Sequence, residues 1–255
     1  MSNEHEKKDG LPPAGIDGFL SHFNFSFRVN RGEYAGNVYR YTWPSAVQSV
    51  ARSEPFIYKK GKNHRAKFPL PKGSTLPDSM TEADFLTIPE GFFEDGKETA
   101  FLQILNLSAT GEMGEYQSAC FLGQTFKDKY PDIFQPSFGA VQSLGHKGLP
   151  AKIFFVPNGI FVTPFGDLHT RPKALVGDRI DAIPPVGSSP KIQGAIELDA
   201  VDELRAKKVR AFTEGDGTAT LTALDHPIDG VLNIAEDELF DYVQTAIETP
   251  PLTRE

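Results

Sequence analysis

Alternation of apolar and polar positions is the strongest regularity in this chain. Phe23, Phe25, Phe27 and Val29 alternate with Asn24, Ser26 and Arg28, which predicts a half-buried strand over 23–29. After the turn residues "NRGE", Tyr39, Tyr41 and Trp43 alternate with Val38, Arg40 and Thr42, so 38–43 reads as the second arm of a hairpin. "FIY" at 56–58 reads as a short strand, and "FFEDGKETAFLQILNLS" as a hairpin around Asp95-Gly96. In 152–165, two apolar runs flank Asn158-Gly159, a strong short-range hairpin signal. Strand 218–224 sets Thr218, Thr220 and Thr222 against Ala219, Leu221 and Ala223, as the second arm of a turn at "EGDG".

Helical periodicity is rarer. "DAVDELRAKKV" offers Asp199 as N-cap with acids early and bases late, and 236–248 carries an apolar stripe ending before Pro250. "TEADFL" can open a helical turn, and "EYQSACFLGQTFKDKY" reads as a short helix interrupted at Gly123. The expected fold is mainly β, an antiparallel sandwich or barrel-like domain with a few peripheral helices, with α+β as the alternative. Residues 1–15 read as a flexible tail, 16–249 as a single domain and 250–255 as a second tail.

Composition sharpens this picture. The 255 residues include 20 Phe, able to bury large area at few positions, and 23 Gly and 20 Pro, which suit many short elements joined by turns. The formal net charge of −8 disfavours indiscriminate nucleic-acid binding. A single cysteine, Cys120, and a polar N-terminal stretch without an apolar core lead to the expectation of a cytoplasmic protein with no membrane insertion.

Three nucleotide-like patterns fail on chemistry. "GFFEDGKE" (Gly91 to Glu98) fits a phosphate loop up to its lysine, but puts Glu94 and Asp95 against the phosphates and Glu98 where a metal-binding hydroxyl belongs. "KKDG" at Lys7 lies in the polar tail, and "GDG" at Gly215 leads into a strand. A basic run survives. Lys59, Lys60, Lys62, Arg65, Lys67 and Lys72 occur with no acid between Glu54 and Asp78, flanked by Phe56, Tyr58 and Phe68. An anionic ligand or single-stranded nucleic acid suits that segment, as does a plain solvated loop with the rings packed beneath it.

For covalent chemistry the candidates are Cys120 as nucleophile, His169 as base and Asp178 or Asp181 as the orienting acid. That chain order resembles the papain and transglutaminase type of fold, and "GHKGLPAKIFFV" is similar to a stretch of the latter family. The resemblance implies a hydrolase or acyltransferase, although Cys120 has no tryptophan-containing helix start and His169 no following aromatic. A buried structural thiol is the alternative. A metal site would draw on Asp167, His169, Asp225 and His226, residues equally at home in turns. Finally, Asp167, His169, Arg171 and Lys173 alternate along "DLHTRPK", where Pro172 and the charges suggest a protected sheet edge or, with Arg171 and Lys173, an anion site. The resulting expectation is a non-catalytic binding or assembly protein, for example a structural subunit of a viral or other particle, with a protein partner or self-assembly and no cofactor. Its rivals are a Cys120–His169 enzyme and a polyanion-binding module.

Overall fold

The computed structural model describes residues 10–29, 38–62, 64, 90–113, 116–163, 166–170, 173–185, 192–193, 195–200, 219–225 and 228–231. Two strands of fifteen residues, β1 (Gly15–Val29) and β2 (Val38–Arg52), form the predicted first hairpin and extend well beyond it. They are followed by β3 (Phe56–Ile57), the sixteen-residue β4 (Glu98–Met113) and β5 (Tyr116–Gly123). A helix α1 (Gln124–Lys129) and a 3-10 turn (Pro131–Ile133) lead to β6 (Ser137–Ser143), β7 (Ala151–Val156) and β8 (Gly159–Thr163). Then come β9 (Gly166–Thr170), β10 (Leu175–Ile180), β11 (Ile192–Gln193), β12 (Ala195–Ala200), β13 (Ala219–Asp225) and β14 (Ile228–Val231).

The pairings resolve these strands into eight staves in chain order. β1, β2 and β4 are continuous staves. The other five are split in two: β5 with β6, β7 with β8, β9 with β10, β11 with β12, and β13 with β14. Thus β4 pairs with β5 through 106–113 and with β6 through 99–104, while β8 pairs with β5 and β9, and β7 with β6 and β10. The ring β4-β2-β1-β13-β12-β9-β8-β5 closes because β5 returns to β4. Every pairing is antiparallel, so the upper half is a closed up-and-down barrel without sheet edges, whereas in the lower half β11 and β14 each pair on one side among the described residues. We call the end bearing the β1–β2, β4–β5 and β8–β9 connections the upper end.

Alternation fixes what faces inward. Along β4, Ala100, Leu102 and Ile104 face the interior cluster, then Leu107 and Ala109. The parity changes because the register slips between Ser49 and Val50, leaving one extra β4 residue at Leu105. Opposite Leu105 the fourth stave leaves the ladder at Gly123 (φ +66), where a Cβ would lie 2.1 Å from the Leu105 carbonyl oxygen. Only glycine permits that approach. The outer face of the lower half carries a second cluster of Phe101, Phe138, Ala140, Phe154 and Val156, roofed by Phe92, with Phe56 and Phe93 packed on it. Phe92 meets Phe154 edge-on at 4.6 Å.

Several expectations change. Asn158-Gly159 is not a hairpin turn, since β7 and β8 lie end to end in one stave. Asn158 Nδ2 donates to the Pro136 carbonyl (2.7 Å), its N–H donates to Ser137 Oγ (2.8 Å), and a Cβ on Gly159 would meet the Phe121 carbonyl oxygen at 2.6 Å. The pair is used for close packing at a bend. Tyr116–Gly123 is strand, not helix, because its partners β4 and β8 flank it on both sides. Asp199 lies within β12, opposite His169, and does not cap a helix there. Asp95-Gly96 does turn (Gly96 φ +77), but β4 pairs with β3 at Phe56–Thr99 and Ile57–Glu98, not with 91–94. The expected tail is anchored from residue 10, for Leu11 belongs to the interior cluster. The 236–248 helix, the "TEADFL" turn, the first arm of the "EGDG" hairpin and the 250–255 tail lie outside the described residues.

Candidate functional site

In the barrel interior many staves contribute to a common surface. Register links Ala46, Ala109, Cys120, Phe161 and Leu168 in one row crossing β2, β4, β5, β8 and β9. Three small residues face one large ring, and each side chain is at most 4% exposed. This row is solid, as large-against-small packing requires. Just below it, Gln48, Leu107 and Leu122 form the next row, with Gln48 as a buried polar side chain. Above it stand Gly111 and Ser118, opposite one another, and then Met113 opposite both Tyr116 and Tyr41. Phe25 pairs with Tyr41 and Ala223, and Phe27 with Tyr39 and Leu221. Across these five staves the floor of the upper half is thus tightly packed, a small-residue row lies over it, and aromatic and aliphatic register positions follow toward the upper end.

Cys120 is part of that floor. Burial pushes its thiol well above its ordinary pKa, the opposite of what a nucleophile needs. His169 follows inward-facing Leu168 and so lies on the outer face, where Phe126 of α1 covers it at 6.0 Å between ring centroids. Cys120 and His169 are therefore on opposite sides of the wall, two strands apart. Asp178 and Asp181 are exposed at β10 and its end, and Asp181 holds Arg179 at 2.8 Å. The four residues are not brought together.

The outer face of β5, β8 and β9 is instead a covered surface. Phe121, Ile160 and His169 form a row across it. Lys129 sits 4.9 Å over the Phe121 ring, and Tyr130 donates its hydroxyl hydrogen to Asp167 Oδ2. β9 pairs on both sides, with β8 and, over Leu168–Thr170, with β12, so His169 does not lie on a sheet edge. Asp225 pairs with Asn24 at the far end of β13, and His226 lies outside the described residues. Among the described residues no group of three His, Cys, Asp or Glu side chains converges as metal ligands.

Lys59, Lys60 and Lys62 are exposed, as the charge run suggests. Their segment is docked: Lys60 N–H donates to Asp95 Oδ1 (2.8 Å) and Gly96 N–H to the Tyr58 carbonyl (2.9 Å). Tyr58 stacks on Phe93 at 4.8 Å and Phe56 on His64 at 4.9 Å, so these ring faces are occupied within the protein. Arg65, Lys67 and Arg171 lie outside the described residues, and Lys173 is exposed.

At the lower end stands a charged residue that sequence reasoning treats only as a defect in a phosphate-loop pattern. Glu98 shares the inward parity of Ala100 and Leu102, and its Oε2 accepts the N–H groups of Leu11 and Gly148, both at 2.8 Å. Arg52 Nε donates to the Pro13 carbonyl (2.9 Å), and its Nη1 donates to Asp17 Oδ2. An acid on the buried parity of an otherwise apolar strand, "ETAFLQIL", is the signal that marks it.

No protein-family model and no curated protein sequence matches the chain. Among solved structures it is similar to DynF from the dynemicin biosynthesis pathway of Micromonospora chersina, at 17% identity and a TM-score of 0.53 over 93% of each chain. A likeness at that identity shows the fold alone. Among the described residues no helix is long and apolar enough to cross a membrane, which says nothing of a β-barrel in one.

Proposed function

We propose that this chain is a non-catalytic binding protein that holds an apolar small molecule in the upper half of its barrel. What carries the reading is the sequence of rows above the floor: packed at Ala46–Ala109–Cys120–Phe161–Leu168, small at Gly111–Ser118, then rich in aromatic and aliphatic positions. Eight-strand barrels either fill their interior with side chains or hold one small ligand, a fold-level analogy that agrees with this gradation. The separation of Cys120 from His169 removes support from the enzyme reading. The assembly reading finds little support, since among the described residues only Val38 and Leu149 are exposed large hydrophobic side chains. For the polyanion reading, two of the rings that would stack on bases, Phe56 and Tyr58, are stacked within the protein, while Phe68 lies outside the described residues.

A fluorescent polyene fatty acid is a suitable probe, because Trp43, the single tryptophan, stands opposite Phe23 in the upper half of the β1–β2 ladder. Saturable one-to-one binding with energy transfer from Trp43 is the expected result. Absence of saturation, or binding without transfer, would remove the reading.

A further inference from the structure

At the lower end of the barrel a segment ahead of β1 is docked by charged side chains of the wall. Gly10–Ala14 precedes β1 and crosses to the β4 side, where Leu11 enters the interior cluster with Ala100, Val50 and Ile180. Two charged side chains of the wall hold its backbone: Glu98 accepts from the Leu11 N–H and Arg52 donates to the Pro13 carbonyl. The same Glu98 oxygen accepts from the Gly148 N–H, so the 144–150 connection and the N-terminal segment share one acceptor. Charge-assisted bonds of this kind are stronger than neutral ones, but only two of them hold the segment, one to Glu98 and one from Arg52. At the end of β6, one step beyond the Thr99–Gln142 pair that adjoins Glu98, Ser143 is fully buried on the inward parity of Val141, and its hydroxyl has no hydrogen-bond partner within the protein. A buried hydroxyl forgoing its partner gains one as soon as water reaches it, which lowers the cost of opening at that point.

We propose that Gly10–Ala14 is a latch across the lower end, released as a unit while the barrel stays folded, and that its release admits water to Ser143. Glu98 is the residue on which the closed position depends, because Leu11 and Gly148 lose their acceptor together. Segments joined to the fold by few contacts open at lower free energy than the body they cover. The inference concerns the lower end only and does not depend on what the upper half binds.

The test places a thiol reporter at position 143. Ser143→Cys, nearly isosteric, is introduced into the full chain carrying Cys120→Ala, and its labelling rate in native buffer is compared with that of Cys120 in the unaltered chain. The expected result is labelling at least about tenfold faster at position 143, since latch opening is cheaper than global opening. Adding Glu98→Gln should accelerate labelling at position 143 by about tenfold again, with position 143 still labelled at least about tenfold faster than Cys120 in a chain carrying Glu98→Gln alone. Should Glu98→Gln fail to fold, Gly10→Ala serves, because its Cβ would lie only 3.1 Å from Glu98 Oε1. Equal rates at the two thiols, or a rate at position 143 that neither substitution changes, would overturn the proposal.

Discussion

The two halves of the barrel wall are built differently although they share β1, β2 and β4. In the lower half the sheet is covered on both faces: every residue of β6 is buried, with Val141 turned to the interior and Phe138 and Ala140 to the outer aromatic layer. In the upper half β4 turns wet on its outer face toward the β4–β5 connection, and β5 does so only at Gln117, since its outward Ala119 and Phe121 stay buried. Ala109 and Ser118 are buried, whereas Thr110, Glu112 and Gln117 are exposed. A strand apolar on both faces serves as a structural block, and a strand wet on one face concentrates its apolar surface on the other. The difference concentrates two-sided apolar packing in the lower half, away from the proposed binding site in the upper half.

That contrast can be broken by mutation. Phe154→Ala, at the centre of the outer aromatic layer, should cost about 3–5 kcal/mol in a denaturant titration, whereas Glu112→Ala on the wet face of β4 should stay within about 0.5 kcal/mol. Comparable costs at the two sites would erase the distinction between the halves. Cys120→Ala removes one buried heavy atom from the floor and should cost about 1 kcal/mol, with thiol labelling of the native protein slow and becoming fast only on denaturation. Rapid labelling would open the floor to solvent and return Cys120 to the list of nucleophiles.

A smaller effect sharpens the description of the lower end. Burial raises the Asp17 carboxyl above 3.8, outweighing the charge and hydrogen bond of Arg52, which lower it. The folded chain therefore holds this proton more tightly than the unfolded one. The increment is fully present below pH 3.8 and is lost as the pH rises through the raised folded value. Asp17→Asn should remove that component from the pH dependence of the urea midpoint, and an unchanged profile would deny Asp17 its buried setting. Smallest of all, joint replacement of Lys59, Lys60 and Lys62 by Gln should change stability by only a few tenths of a kcal/mol per site, since all three are exposed.

Much of the wall was legible in the sequence because period-2 alternation survives tertiary context. The strands predicted at 23–29, 38–43, 152–165 and 218–224 correspond to β1, β2, β7 with β8, and β13. Strand pairing was not legible where a stave breaks in two. Asn158-Gly159 has the composition of a hairpin turn, but a bend within a stave needs the same small, polar chemistry. Likewise "EYQSACFLG" has a helix-compatible face until a closed ring supplies partners on both of its edges. The polar cluster Asp167–His169 looked like an edge because nothing local announces that the segment after β5, thirty residues or more earlier, folds over it. Glu98 was hidden for the converse reason: its partners are backbone N–H groups of Leu11 and Gly148, which leave no trace in side-chain patterns.

The central claim is that the upper half keeps an apolar interior above a solid floor, and two neighbouring residues of β5 test it directly. Ser118 is buried on the parity of Cys120, opposite Gly111, and Gln117 beside it is exposed on the outer face. Binding of the polyene fatty acid is measured for Ser118→Phe and Gln117→Phe, after both are shown to keep the far-ultraviolet spectrum of the parent. The account predicts that a ring placed at position 118 fills the interior and abolishes binding, while a ring at position 117 leaves it unchanged. Equal retention by both variants, or loss in Gln117→Phe alone, would contradict it.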